Sequence, residues 1–83
     1  MKDLEKIRSQ IDWIDRDIMA GLDKRFELVE RIREIKIQNG MSILDKSRED
    51  IIHHYIELST KYENEIKAIY EEIMKQSRNL QDE

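Results

Sequence analysis

The 83-residue chain has no cysteine, no proline, two glycines, few aromatics, 41% charged residues and a net charge of -4. That composition excludes disulfides, thiolate chemistry and cysteine-bound zinc, and it argues against nucleic acid as the main partner, since phosphate binding needs a clustered excess of Lys and Arg. What remains is a single all-α domain over residues 1–83, too small to bury much surface alone. No run is apolar enough for a membrane span, and no apolar stretch of a signal peptide follows Met1-Lys2-Asp3, which fits a protein of the reducing cytoplasm.

From Asp3 to about Gln38 the apolar residues Leu4, Ile7, Ile11, Ile14, Ile18, Leu22, Leu28, Val29, Ile32 and Ile35 recur in steps of three and four, the spacing of one long amphipathic helix. Asn39-Gly40 ends it, because glycine supplies the left-handed residue that closes a helix. Gly21 is interior and costs about 1 kcal/mol relative to alanine, a penalty usually offset by close packing of another helix. After a connector over residues 41–44, Asp45 or Ser47 can cap a second helix carrying Ile51, Ile52, Tyr55, Ile56 and Leu58, with Glu49 and Asp50 suited to its positive end. A third helix starts near Asn64, a candidate N-cap, and runs through Ile66, Ile69, Tyr70, Ile73, Met74, Ser77, Leu80 and Gln81. The segment Ser59 to Glu63 has neither glycine nor proline, so one continuous helix there stays open.

A first helix of about 36 residues is roughly 54 Å long, about twice the diameter of a compact domain this small. Much of its apolar stripe would be bare in a monomer. Pairing of two long helices would cover it, so the expected architecture is an intertwined homodimer of three-helix chains.

Several polar residues stand on these apolar faces. Arg25 and Lys36 share the face of Ile11, Ile14, Ile18, Leu22, Val29 and Ile32, separated by three turns, or about 16 Å along the axis. Ser77 and Gln81 continue the stripe Ile66, Ile69, Ile73. Arg48 adds a cation beside Asp45 and Glu49. Arg8 precedes Arg25 by about 25 Å of straight helix, too far to serve the same small site except from an antiparallel partner. Each residue alone has a plainer reading: a basic side chain that snorkels or pairs along its helix, a serine bonded back to its own turn, a glutamine in a frayed end. Together they suggest an internal anion site.

The joint pattern resembles the all-helical chorismate mutase family. It is carried by Ile7-Arg8, Ile11-Asp12-x-Ile14-Asp15, Arg25, Lys36, Gly40, Asp45-x-x-Arg48-Glu49 and Ser77-x-x-x-Gln81. The resemblance implies an intertwined dimer that rearranges the dianion chorismate to prephenate, in aromatic amino-acid biosynthesis, without a cofactor or metal. It implies that Arg25 and the partner's Arg8 bind the two carboxylates with help from Ser77, that Lys36 and Gln81 donate to the ether oxygen, that Glu49 and the backbone at Asp45 take the ring hydroxyl, and that Arg48 supports the cluster. The stretch between Glu49 and Ser77 is a few residues shorter than in the family, which bears on the turn between helices two and three. Two rivals remain: an isochorismate pyruvate-lyase on the same fold, disfavoured by Asp45-x-x-Arg48-Glu49, and a helical dimerisation module whose inward charges set register.

Other features carry less. His53 and His54 point about 100° apart on a helix and lack a third ligand. Trp13, Met19 and Phe26 read as interface packing, and Asp12, Asp15 and Asp17 as a solvated acidic face near a helix start.

Overall fold

A computed structural model describes residues 1–41 and 46–82. Its three helices are α1 (Lys2–Gln38), α2 (Lys46–Ser59) and α3 (Glu63–Asp82), and among the described residues there is no strand. The molecule measures 57 × 24 × 16 Å. Its long dimension is that of α1 itself, 37 residues at about 1.5 Å each.

The end of α1 follows from Asn39-Gly40. Gly40 adopts φ 64°, its N–H donates to the Ile37 carbonyl at 3.2 Å, and the N–H of Met41 donates to the Lys36 carbonyl at 2.8 Å. This pair of bonds is a Schellman closure, which satisfies carbonyls that a helix end would leave open. Asn39 Nδ2 adds a bond to the Ile35 carbonyl at 2.7 Å.

Of the two candidates for the α2 cap one is ruled out, and the expected α3 cap differs. Ser47 is the second residue of α2 rather than its cap, and Asp45 lies outside the described residues. Asn64 is the second residue of α3, whose first bond instead goes to the Tyr62 carbonyl from Ile66 N at 2.9 Å. The chain does break between α2 and α3. Thr60 Oγ1 accepts from the Tyr62 N–H at 3.0 Å, and a threonine hydroxyl that captures a backbone donor turns the chain without glycine or proline.

α3 packs against both other helices, and the core lies where they meet, at Val29, Ile56 and Met74. The inward stripe of α3 runs through Ile66, Tyr70, Ile73, Met74, Ser77 and Gln81, whereas Ile69 is exposed. On the outer side, His53 Nε2 meets Glu71 Oε1 at 2.9 Å, and Lys67 Nζ joins Glu57 at 2.8 Å and Glu63 at 3.1 Å. The hydrogen bond and charge of Lys67 hold the Glu57 carboxyl below the usual carboxylate range. Bonding to Glu57 and then Glu63 raises Lys67 in turn.

The N-terminal half of α1, up to Gly21, holds no buried or half-buried residue. Leu4, Ile7, Ile11, Ile14 and Ile18 are all exposed, as are Trp13 and Met19, and no atom lies within 4 Å of where a Cβ at Gly21 would stand. The close neighbour expected for Gly21 is therefore not supplied by its own chain. Arg16 sits over the Trp13 ring at 4.6 Å, a contact that shields only one face of the indole.

Candidate active site

Between the three helices is a cleft of about 370 Å³, with α1 supplying Arg25, Val29, Ile32 and Lys36, α2 supplying Arg48, Glu49 and Ile52, and α3 supplying Met74, Ser77, Arg78 and Gln81. Each helix reaches it by the same arithmetic, since positions three or four residues apart share a face. Six residues singled out from the sequence therefore line one cavity: Arg25, Lys36, Arg48, Glu49, Ser77 and Gln81. Arg8 is exposed on α1 and takes no part in it, as its separation of about 25 Å from Arg25 requires.

The contact that organises the cleft joins α1 to α3. Arg25 Nη1 donates to Ser77 Oγ at 2.6 Å, while that hydroxyl donates its own proton to the Ile73 carbonyl at 2.8 Å. Ser77 is 8% exposed, so its bond back to its helix and its function as an acceptor coexist. The helix carbonyl takes the only proton a serine has, which turns a lone pair toward the guanidinium. Arg25 is thereby aimed into the cleft.

Two arginines not singled out from the sequence act at the cleft or its edge. Arg78 Nη1 donates to Glu49 Oε2 at 2.7 Å, bridging α3 to α2 across the cleft. Arg33 Nε donates to the backbone carbonyl of Gln81 at 3.0 Å. Arg33 was open to sequence reasoning, because it follows Val29 by four residues and precedes Lys36 by three. Arg78 was not, since it is one step, about 100°, round the helix from Ser77 and reads as solvent-facing.

Four basic side chains thus surround one carboxylate in a protein whose net charge is negative. Beside this cleft is a second, mainly apolar one of about 560 Å³, which shares Arg25 and Arg48 with the first and is floored by Ile51, Tyr55, Ile56, Ile66 and Tyr70. The histidine pair takes no part in either: His53 turns to Glu71 and His54 to Glu57, at 3.7 Å. Among the described residues no cluster of His, Asp or Glu could hold a metal, and no helix is long and apolar enough to cross a membrane.

Fold and cleft together define an all-helical protein with a cationic pocket of a size that suits a small anion. The chain belongs to the chorismate mutase type II family, whose pattern matches residues 7–82. This is a family of enzymes, and the cleft is its candidate active site in this chain. The chain is also similar to a T-protein of Haemophilus influenzae (strain ATCC 51907 / DSM 11121 / KW20 / Rd), 39% identical over 49 residues, a stretch that covers 59% of this chain and 13% of that protein. The chain therefore matches only a small part of that relative's length. No solved structure matches the chain.

Proposed function

We propose that the protein is a chorismate mutase, which converts chorismate to prephenate by an intramolecular Claisen rearrangement in aromatic amino-acid biosynthesis, and that it works as an intertwined homodimer. The observation that carries this reading is the Arg25–Ser77 bond inside a cleft that Lys36 and Gln81 also line, in a chain of this family.

The substrate has two carboxylates, and a planar guanidinium suits each of them by bidentate bonding. Arg25 takes one, its aim set by Ser77. The other falls to Arg8 of the partner subunit, which reaches the cleft because α1 of the second chain covers the apolar floor beside Arg25 and Arg48. Two facts favour this covering: the bare N-terminal stripe of α1 and the apolar cleft that adjoins the cationic one. Lys36 and Gln81 donate to the ether oxygen. Negative charge grows there as the carbon–oxygen bond breaks, and fixed donors aimed at developing charge need no reorganisation in the transition state. Glu49, held by Arg78, takes the ring hydroxyl together with the backbone at Asp45, and Arg48 reinforces the cationic wall. With both carboxylates clamped, the reacting carbons are kept in a near-attack arrangement.

The direct test is the ultraviolet loss of chorismate on adding purified protein, with prephenate identified as the product. Protein that leaves chorismate unchanged contradicts the proposal. Shared sites are tested by mixing: Arg8→Ala and Lys36→Ala proteins, each inactive alone, regain activity on subunit exchange because each mixed dimer rebuilds one complete site. Since Gln81 is a neutral donor that needs no proton uptake, no acidic optimum arises from it. A rate that climbs steeply into acid would contradict its assignment.

A further inference from the structure

Gln81 is the second-last residue of α3. Helices fray at such positions, because the last carbonyls lack partners within the helix. A donor used in catalysis has to be held to about half an ångström, so something outside the helix must fix this turn. The geometry points to Arg33. Its Nε donates to the Gln81 carbonyl oxygen at 3.0 Å, half-buried, across 48 residues of sequence. The bond satisfies one of the terminal carbonyls, and it brings a cation to the negative end of the helix.

Arg33 does not line the cleft. It lies one turn before Lys36 on α1, so a single bond ties the turn that carries Lys36 to the residue that carries the amide. We infer that Arg33 is a positioning residue, a latch that docks the last turn of α3 onto α1 and sets the spacing between the Lys36 ammonium and the Gln81 amide. The inference rests on the proposal above that these two groups share the ether oxygen.

An ordinary structural cap and a latch for catalysis differ in what they change. The Gln81 donor strengthens its bond only as charge develops, so a loosened turn lowers kcat and leaves KM nearly unchanged. The test uses the full chain with Arg33→Met, which keeps the apolar stem and removes the donors, and Arg33→Lys, which keeps one donor. Amide hydrogen exchange at Asn79, Leu80 and Gln81 and steady-state rates on chorismate are measured for each.

The expected result is faster exchange confined to that turn in Arg33→Met, with kcat down about tenfold and KM within about twofold, both largely restored in Arg33→Lys. Unchanged exchange at Gln81 overturns the latch. Faster exchange with unchanged kcat overturns the positioning function, as does a loss of activity that only tracks a global drop in melting temperature. Failure of the underlying reading is separate and visible beforehand: the unsubstituted protein would not consume chorismate at all.

Discussion

The two halves of α1 carry the same apolar periodicity and differ in what they meet, although Leu28, Ile32 and Ile35 of the second half stay about as exposed as the isoleucines of the first. From Leu22 onward the helix lies against α3, buries Val29 and lines a cleft with Arg25 and Lys36. Before Leu22, Ile7, Ile11, Ile14 and Ile18 are 54%, 50%, 55% and 53% exposed. Burial of each such side chain is worth about 1.5 to 3 kcal/mol, so a stripe of four left bare is a large unclaimed stabilisation. Periodicity demands that a face be covered, and it is silent on which chain does the covering.

The strongest way to break the contrast is to spoil the bare half. Ile14→Asp puts a charge on the stripe without touching the cleft. If a second chain covers that stripe, sedimentation will show monomer, and activity on chorismate will fall at least about a hundredfold, because Arg8 of the partner subunit no longer reaches the site. A monomer that keeps its activity would show that the C-terminal half suffices alone.

A smaller effect sharpens the other side. Ser77→Ala removes the acceptor that aims Arg25 and leaves a half-buried guanidinium short of a partner. A hydrogen bond to a charged group contributes about 1.5 to 3 kcal/mol. The expected outcome is a fall in kcat/KM of about tenfold to a hundredfold, much of it in KM, because the carboxylate proposed for Arg25 is charged in substrate and transition state alike. Steady-state kinetics decide it, and an unchanged KM would detach Ser77 from Arg25.

Gly21, where the two halves join, gives an intermediate test. No atom of its own chain opposes a Cβ there, so if no partner helix packs on Gly21, Gly21→Ala should stabilise by about 1 kcal/mol, or raise the melting temperature by roughly 4–8 °C for a domain of this size. A fall instead would mean that a helix of another chain crosses at that point.

What could be read from the sequence divides along the same line. The three helices and the glycine closure at Gly40 followed from local chemistry, since each depends on residues within a few positions of one another. Ser77 and Gln81 also declared themselves, because a polar residue on an apolar stripe breaks the pattern that surrounds it. The start of α3 did not, for the Thr60 hydroxyl takes the Tyr62 N–H and turns the chain ahead of the Asn64 candidate, a choice that propensity does not rank. Arg78 was hidden among other surface arginines, since only the fold brings Glu49 opposite it. Arg33 was within reach from its spacing to Val29 and Lys36, but its target is a backbone oxygen that no residue type marks.

The smallest expected effect lies at the outer seam of α2 and α3. Lys67 bridges Glu57 and Glu63 there, in solvent, where screening makes ion pairs weak. Because Glu57 titrates below its ordinary range in the folded chain, its share of stability is full above that range and is lost as pH falls through the lowered value. Lys67 titrates above its ordinary range, so its share is full below that range and is lost as pH rises through the raised value. The staple therefore operates across the neutral window and lapses at both extremes. Lys67→Met should lower the melting temperature slightly at neutral pH, less in high salt, with the difference from the unsubstituted protein closing once the carboxylates protonate in acid. A deficit that persisted in acid would assign the effect to the packed lysine stem rather than to its charge.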